Sequence, residues 1–400
     1  MESYDVAVVG AGIGGLAAAG LMAREGRRVV VLERAAAPGG RGRSWLDGGA
    51  LLNLGPHALY EAGVGRRVLE TLGVRTPGRR APSVGEVEDE RGFHPLPGGL
   101  VSMLRTTALG GAARWALLAW LAPVLAGRVP APSVTVEAWL HGLPEEAWRV
   151  AAATVRVSTY TNAPAVQRAD VAARQLARAL RGVRYLDGGW QTLVAQLAAG
   201  PFEIRTGAEV VELPEAGRLV LAGGGQVRAT DVVLAVPPAA VRRLGVPVPA
   251  LVPVRAACLD LSLRRLPDPS RRFVLGLAEP TYLSEHAGLA RLCDDGAVLH
   301  VAKYLAPEDP GSGAEAELEA LLDRAQPGWR AEVRARRYAP ALIVAHANDA
   351  VGQPRPDGLV APHLALVGDW VQADGLLVDA SLDSAARAAR ALLAAGRAAA

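Results

Sequence analysis

A glycine-rich turn between a buried strand and a helix constrains the fold of this chain more than any other feature. The apolar run Val6 to Val9 leads into the turn Gly10-Ala-Gly12-Ile-Gly-Gly15, and a helical pattern follows. In a dinucleotide-binding βαβ unit the first glycine supplies the turn, the second admits the pyrophosphate, and the third lets the helix pack on the strand. The phosphates then face the N-terminus of the helix. The predicted cofactor contacts are Gly10, Gly12, Ile13, Gly14 and Gly15.

The second strand of this unit ends in an acidic residue. Val29 to Leu32 form an apolar run, and Glu33 follows it directly, 23 residues after Gly10. A carboxylate at this position accepts hydrogen bonds from the hydroxyls of an adenosine ribose and disfavours a 2′-phosphate. Because strand, turn, helix, second strand and acid occur in the required order, we predict a dinucleotide site with Glu33 and Arg34 at its adenosine end.

Two further glycine motifs favour FAD over a nicotinamide cofactor. Gly39-Gly40-Arg41 forms a second glycine turn that ends in a cation, and Gly368-Asp369 closes a late apolar strand. An extended FAD can meet an arginine from a second loop with its pyrophosphate. A glycine next to an aspartate admits the ribityl chain and accepts its hydroxyls, although Asp369 as a cap of the following turn is an alternative. We predict FAD contacts at Gly40, Arg41, Gly368 and Asp369.

Composition and charge exclude several classes of protein. The chain has 400 residues, half of them hydrophobic, and a formal net charge of +3, so a nucleic-acid partner is not expected. The two cysteines, Cys258 and Cys293, have no metal-binding spacing. Gly110-Gly111 and the triplet 223–225 open no second βαβ unit, so we expect no bound NAD(P) domain. No signal-peptide pattern precedes Tyr4, and we expect a cytoplasmic protein, with membrane association left open.

Strand patterns of the Rossmann kind recur in three separated parts of the chain, whereas the parts between them differ in character. Residues 257–263 and 297–302 alternate apolar and polar side chains as strands do. We predict an α/β fold in which a discontinuous Rossmann-like FAD-binding domain carries an inserted α+β substrate domain of mixed sheet plus helices. The FAD-binding domain takes residues 1–75, 186–245 and 346–400, and the substrate-binding domain takes 76–185 and 246–345.

The longest apolar run, Trp115 to Gly127, has two interpretations. Its thirteen residues fall short of the ~20 that span a bilayer. Arginines lie on both sides of it, and two tryptophans lie within it. It is either a core helix or a helix lying at a lipid interface, with peripheral membrane contact through residues 105–128.

Four segments together resemble the FAD-dependent amine oxidase superfamily, and most closely its phytoene desaturase-like branch. They are Val8 to Arg43, Asn53 to Tyr60, Gly188 to Leu193, and Gly368 to Val371 with Gly375 to Ala380. The resemblance implies that the backbone at Val210 contacts adenine and that Gly375 to Val378 approach the pyrimidine edge of the flavin. A helix starting near Asp379 would point its N-terminus there and stabilise the anionic reduced ring, and Asp379 could equally cap that helix. The implied contacts are Gly55, Pro56, His57, Val210, Gly375, Leu376, Leu377 and Val378.

Flavin chemistry requires few catalytic side chains, because the cofactor carries the hydride step. Three residues are candidates for the reaction site, each with a structural alternative: His57 as a loop histidine, Trp370 as core, and Lys303 as a surface lysine. In amine-oxidising members of the superfamily a strand lysine holds a water near flavin N5, and Lys303 lies in a predicted strand.

We predict an FAD-dependent oxidoreductase of the desaturase, saturase or isomerase type. Its expected substrate is an apolar isoprenoid-like, carotenoid-like or other lipid molecule that exchanges a hydride with flavin N5. The chain is shorter than a typical carotene desaturase, which argues against a full C40 polyene. Two alternatives stay open, a flavin amine oxidase that uses Lys303 and a flavin-binding scaffold without turnover.

Overall fold

The computed structural model describes residues 2–215 and 217–398 and contains two large β-sheets with helices around them. A 3₁₀ turn covers Gly40–Gly42. The strands are β1 (Glu2–Val9), β2 (Val29–Leu32), β3 (Ser44–Asp47), β4 (Ala50–Asn53), β5 (Leu59–Tyr60), β6 (Gly78–Arg80), β7 (Glu86–Asp89), β8 (Gly92–Pro95), β9 (Val183–Leu186), β10 (Glu203–Arg205), β11 (Val210–Glu215), β12 (Arg218–Leu221), β13 (Gln226–Leu234), β14 (Val254–Leu263), β15 (Phe273–Gly276), β16 (Thr281–Glu285), β17 (Ala297–Leu305), β18 (Val333–Ala345), β19 (Leu359–Ala361) and β20 (Leu364–Leu366). The helices are α1 (Ile13–Arg24), α2 (Val64–Thr71), α3 (Leu100–Arg105), α4 (Gly111–Leu125), α5 (Val136–Leu140), α6 (Glu145–Thr159), α7 (Ala169–Leu180), α8 (Gln191–Ala198), α9 (Pro238–Arg243), α10 (Ala314–Ala325), α11 (Trp329–Glu332) and α12 (Leu377–Ala398).

The first sheet is the predicted nucleotide-binding sheet. Its strands β10, β2, β1 and β13 run parallel side by side, and β20 joins β13 in parallel. All four residues of β2 are buried, as expected for a parallel strand covered on both faces. Helices α1 and α12 pack against each other, and Gly14 of α1 lies close to Val367 and Ser381. The carboxyl ends of β1 and β2 therefore open together at one edge of the sheet, where ligands of such folds bind.

The second sheet has seven strands in the order β18-β14-β17-β16-β15-β7-β8. Because side chains alternate along a strand, its two faces have separate surroundings. Leu259 and Val301 pack with Leu321 of α10 on one face, while Cys258 and Tyr304 on the other face share a cluster with helices α4, α5 and α6. The insertion is thus a sheet with helices on both faces.

The two large sheets draw their strands from different parts of the chain. Those of the first sheet come from residues 1–75, 186–245 and 346–400, and those of the second from 76–185 and 246–345. A small sheet of order β5-β9-β6 joins segments from both predicted domains. The α/β fold class is as predicted, and the domain boundaries stay a prediction.

Helix α4 contains most of the long apolar run, and its two sides have different surroundings. Ala113, Leu117 and Val124 are buried, whereas Trp115 is 74% exposed and Leu125 is 64% exposed. One side of the helix therefore belongs to the core, and the other presents large apolar side chains to the outside. Within residues 2–215 and 217–398, no helix is both long and apolar enough to span a membrane.

Candidate active site

One large cavity connects the nucleotide edge of the first sheet with the helices and sheet of the insertion. Its volume is about 2160 Å³. A site for one small molecule takes about 300–1,000 Å³, so this cavity has room for a dinucleotide and a second ligand. Both Gly12 at one end and Tyr282 at the other line it.

Two glycine turns form a cradle at the nucleotide end. Gly39 donates its backbone N–H to the carbonyl of Ala11 at 2.7 Å, which brings the second turn against the first. A Cβ added at Gly12 would meet no atom within 4 Å, and one added at Gly40 would lie 3.6 Å from the Cα of Gly12. The opening between these turns is thus walled by backbone and faces the N-terminus of α1, which begins at Ile13. This arrangement fits the pyrophosphate of a dinucleotide.

Glu33 is held in place at the edge of the cavity by backbone groups. Its Oε2 accepts a hydrogen bond from Ala11 N at 2.7 Å, and its Oε1 accepts one from Ala35 N at 2.8 Å. Each carboxylate oxygen keeps a further lone pair for a ribose hydroxyl. Arg34 and Val210 line the same end of the cavity. The predicted adenosine contacts are therefore assembled around one space.

Arg41 and Asp369, predicted to contact different parts of FAD, form an ion pair with each other. Arg41 Nη1 lies 2.8 Å from Asp369 Oδ2 and also donates to the Val344 carbonyl at 2.7 Å. His346 Nδ1 lies 3.1 Å from Asp369 Oδ1. Burial alone would raise the pKa of Asp369, but Arg41 and His346 outweigh burial and hold this pKa well below its usual range. Asp369 is therefore an ionised acceptor next to Gly368 at the cavity wall.

The start of α12 places two of the four predicted pyrimidine contacts at the cavity. Leu377 and Val378 line it, whereas Gly375 and Leu376 lie behind them, with Leu376 only 6% exposed. The helix begins at Leu377, two residues earlier than predicted, and Leu377 adopts a left-handed conformation with φ of 57°. The N-terminus of α12 therefore points at the cavity.

Asp379 does not cap its own helix, as one interpretation of the sequence had it. It is fully buried, and its Oδ1 accepts a hydrogen bond from Gly65 N at 2.9 Å, in the first turn of α2. A Cβ at Gly63 would lie 2.3 Å from the same carboxylate, so only glycine fits there. Burial raises the pKa of Asp379 to about 6. Asp379 thus joins the starts of two helices.

His57 and Trp370 both reach the cavity, in different surroundings. The His57 ring meets Trp190 edge to face at 4.8 Å, and its Nδ1 lies 3.0 Å from the Gly55 carbonyl. Burial lowers the pKa of His57 to about 4, so the ring is neutral at pH 7. Trp370 is 1% exposed and packs in the core of the nucleotide sheet, as its structural alternative predicted. Pro56 lines the cavity, and Gly55 lies behind it.

The structure does not bring Lys303 to the cavity. Its Nζ lies 2.7 Å from Glu317 Oε1 of α10, on the face of the second sheet that points away from the cavity. Its strand neighbours Ala302 and Tyr304 point to the opposite face. Because alternate residues of a strand face opposite sides, Lys303 cannot reach a flavin without a change of register. The prediction of a flavin-side Lys303 is therefore corrected.

Sequence reasoning missed a set of polar residues at the far wall of the cavity. Tyr185, Tyr282 and Ser284 line it, and His286 lies directly behind them. The signal was present as polar residues at alternate positions of one segment, Tyr282, Ser284 and His286, which are joined by hydrogen bonds. The ring contacts of His286 with Tyr185 and His300 come from other strands.

A family model and curated relatives match the nucleotide-binding end of the chain. The family model described as an NAD(P)-binding Rossmann-like domain matches residues 8–72. All-trans-retinol 13,14-reductase of Macaca fascicularis is 38% identical over 74 residues, which cover 18% of this chain and 12% of that protein. The human enzyme of the same name gives the same identity and coverage. The matched part of the chain thus spans only about an eighth of these relatives.

Solved structures match over nearly the whole chain. An oxidoreductase from Methanosarcina mazei has a TM-score of 0.77 at 18% identity, covering 96% of this chain and 99% of its own. Putrescine oxidase bound to putrescine has a TM-score of 0.73 at 18% identity, covering 98% and 99%. Cyclohexylamine oxidase from Brevibacterium oxydans has a TM-score of 0.67 at 17% identity, covering 99% and 100%.

The chain shares its fold with these solved structures. Together with the Rossmann-like unit, this fold confirms the predicted fold class and supports FAD as the cofactor. The finer resemblance to the phytoene desaturase-like branch stays a prediction, as do the roles of the individual site residues.

Proposed function

We propose that this protein is an FAD-dependent oxidoreductase that desaturates, saturates or isomerises an apolar isoprenoid-like or other lipid substrate. The observation that carries the proposal is the apolar arm of the cavity beyond the nucleotide end. Helices α3, α4, α6 and α7 of the insertion supply this arm with side chains that offer no charge. They are Met103, Leu117, Trp120, Leu121, Val150, Val157, Leu176 and Leu180.

The residues of the chain would bind and orient FAD and the substrate, and they would exclude water from the cavity. FAD, when bound, supplies the acceptor or donor of the hydride at its N5 atom. The cradle at Gly12 and Gly40 would hold its pyrophosphate, and Asp369 would accept its ribityl hydroxyls. The start of α12 offers backbone N–H groups and a positive dipole end to a ring that gathers negative charge on reduction. A hydrocarbon substrate bound in the apolar arm would lie next to this end of the cavity.

Two observations bear on the choice between lipid and amine. The match to all-trans-retinol 13,14-reductase, whose name states an isoprenoid alcohol, supports a lipid substrate, although it covers only part of the nucleotide segment. The amine oxidase alternative depended on Lys303, which pairs with Glu317 on the face that points away from the cavity. Several fold neighbours are amine oxidases by name, and amines are therefore included in the test below.

The direct test is anaerobic mixing of the FAD-loaded protein with isoprenoid lipids and, separately, with amines, while the flavin absorbance is recorded. We expect bleaching by a lipid that is dehydrogenated, or reoxidation of the pre-reduced flavin by an unsaturated lipid. Leu121→Asp should abolish either response by placing a charge in the arm. Leu46→Asp is the matched control, because Leu46 is 72% exposed and does not line the cavity. A response to amines alone would overturn the proposal.

The assignment of the ribose contact has its own test. Glu33→Arg should weaken FAD retention by at least tenfold, since it replaces two accepted hydrogen bonds and a ribose acceptor by a cation. Glu25→Arg is the control, because Glu25 lies at the exposed end of α1. Equal flavin content in both purified variants would count against the contact.

We further propose that helices α3 and α4 contact a lipid surface and that substrate enters the cavity there. Leu104 is 67% exposed and Trp115 is 74% exposed, while Met103 beside them lines the cavity. Exposed apolar side chains of this size, flanked by arginines, suit a membrane interface.

Co-sedimentation with anionic lipid vesicles tests this contact. The double variant Leu104→Ser and Trp115→Ser should lose vesicle binding, whereas Leu46→Ser should keep it. Equal binding by both variants would overturn the assignment of the surface.

A further inference from the structure

Four polar side chains lie directly opposite one another on four neighbouring strands of the second sheet. Ser284 of β16 pairs with His300 of β17, His300 pairs with Asp260 of β14, and Asp260 pairs with Arg337 of β18. Residues paired across antiparallel strands point to the same face, so these side chains form one row. Ser284, His300 and Asp260 are at most 1% exposed.

At the end of the row near Arg337, the charge of Asp260 is compensated by neighbouring groups. His300 Nδ1 lies 2.7 Å from Asp260 Oδ1, and Gly55 N donates to Oδ2 at 3.2 Å. The guanidinium of Arg337 lies 3.6 Å from the same oxygen. This bonding fixes the His300 ring, yet its Nε2 is buried with no hydrogen-bond partner among the described residues. Buried polar atoms are rarely left without a partner in folded proteins, which points to a role of this row beyond stability.

At the Ser284 end of the row, a chain of hydrogen bonds reaches the cavity. Tyr282 donates its hydroxyl to Ser284 Oγ at 2.6 Å, and Ser284 Oγ lies 2.7 Å from His286 Nε2. The His286 ring stacks on Tyr185 with 3.8 Å between ring centroids and meets His300 edge to face at 4.5 Å. His286 therefore lies behind Tyr185, Tyr282 and Ser284, three hydroxyl-bearing residues that line the cavity.

This wall carries no free charge at neutral pH. Burial, with His300 and His57 nearby, lowers the pKa of His286 well below its usual range, and burial raises the pKa of Tyr282 well above its own. Glu285, which also lines the cavity, is paired with Arg272 at 2.7 Å. Neutral hydroxyls donate and accept hydrogen bonds, so they complement a hydroxyl or carbonyl oxygen better than an ammonium or a carboxylate.

We propose that Tyr185, Tyr282 and Ser284 bind a neutral oxygen, a hydroxyl or a carbonyl, at one end of the otherwise apolar substrate. This inference rests on the proposed function and narrows its substrate class from hydrocarbons to alcohols, aldehydes or ketones of isoprenoid character. His286 is a positioning residue, because it contacts the Ser284 hydroxyl and the Tyr185 ring without lining the cavity. His300, fixed by Asp260, supports the His286 ring from its other side and positions it in turn.

The test measures binding rather than turnover. Four linear C20 isoprenoid probes that differ only in their end group, an alcohol, an aldehyde, an amine and the parent hydrocarbon, are titrated into the FAD-loaded protein by calorimetry. We expect the alcohol or the aldehyde to bind about tenfold more tightly than the hydrocarbon and the amine. Tyr282→Phe and Ser284→Ala should each reduce this preference to about twofold while leaving hydrocarbon affinity unchanged.

Matched controls keep the test specific. Tyr338→Phe changes a half-buried tyrosine on the α10 face, and Ser262→Ala removes a hydroxyl that donates to the Gly48 carbonyl outside the cavity. Both should keep the preference for oxygen, and thermal unfolding checks that all five variants of this test are folded. His300→Gln should reduce the preference without changing hydrocarbon affinity, as expected for a positioning residue.

The outcomes separate this inference from the proposed function. Equal binding of all uncharged probes by the unmodified protein, or a preference that survives in both Tyr282→Phe and Ser284→Ala, overturns the oxygen site but leaves an apolar substrate. A preference for the amine, or no binding of any probe, overturns both.

Discussion

The two ends of the cavity hold their polar groups by different means. At the nucleotide end, backbone groups of nearby residues hold the polar side chains, as Ala11 N and Ala35 N hold the carboxylate of Glu33. At the far end, Ser284, His300 and Asp260 come from three separate strands and meet only because the sheet register aligns them. A site built from local backbone geometry can be recognised in a short segment, whereas a site built across strands cannot.

The family comparison follows the same division. The matching family model covers residues 8–72, where the glycine turns and Glu33 lie. The insertion is matched by overall fold at identities of 17–18%. The nucleotide end therefore identifies the class of cofactor, and the cavity wall has to be interpreted from its own chemistry.

The largest expected effect separates two glycines of the same turn. A Cβ at Gly15 would lie 2.0 Å from the Gly10 carbonyl oxygen, whereas one at Gly12 meets nothing within 4 Å. Gly15→Ala should cost more than about 3 kcal/mol of unfolding free energy, because backbone must move. Gly12→Ala should change stability by less than about 1 kcal/mol and still weaken FAD binding. Denaturant unfolding of the apo-protein and FAD titration measure both, and equal stabilities would contradict the packing role of Gly15.

The next effect tests whether the far wall is held by its buried ion network. Asp260→Ala removes the acceptor of His300 Nδ1 and Gly55 N and leaves Arg337 without its partner. We expect a loss of about 3–5 kcal/mol in unfolding free energy. Asp295→Ala breaks an exposed pair with Arg334 and should leave the melting temperature nearly unchanged. Similar losses in both variants would show that burial does not set the cost.

A smaller effect is expected in the pH dependence of stability, through the contact of Asp379 in α12 with Gly65 in α2. The folded-state pKa of Asp379 is about 6, above the ~3.9 of an unfolded aspartate, so its stabilising contribution is complete below pH ~4 and lost as the pH rises through about 6. Asp379→Asn keeps the acceptor for Gly65 N without the charge. Relative to the unmodified protein, the variant should gain about 2–3 kcal/mol between pH 4 and pH 8.

Unfolding free energies measured across this range give the result. Asp383→Asn controls for the loss of a carboxylate from the same helix, where Asp383 accepts from Asp374 N and Arg387. Parallel pH curves for Asp379→Asn and the unmodified protein would refute the buried, raised-pKa carboxylate.

The smallest effect is expected at Lys303, one of the three residues that the sequence offered as candidates for the reaction site. Lys303→Met breaks the pair with Glu317, which should cost about 1 kcal/mol or less. The rate of flavin bleaching should stay unchanged, because the side chain lies on the α10 face. A large drop in that rate at constant stability would restore Lys303 to the active site.

Local pattern predicted the regular elements of the nucleotide unit well. Strand β2 has the predicted bounds, and α12 begins at Leu377 rather than near Asp379. Lys303 failed for a specific reason: alternation along a strand defines two faces but does not say which one meets the cavity. Asp260 and His300 lie in two segments whose alternation predicted strands, but nothing in the chain order paired them.

The sequence by itself determined the dinucleotide fold, because Gly10 to Glu33 form their site through backbone conformation and short-range contacts. The separate glycine motifs at Gly39 and Gly368 then favoured FAD. Only the tertiary structure decided what faces the substrate. It paired Arg41 with Asp369 across more than 300 residues, turned Lys303 away, and aligned Ser284 with His300 and Asp260. The physical reason is that strand register and the packing of one face against α10 are long-range properties, which no local segment encodes.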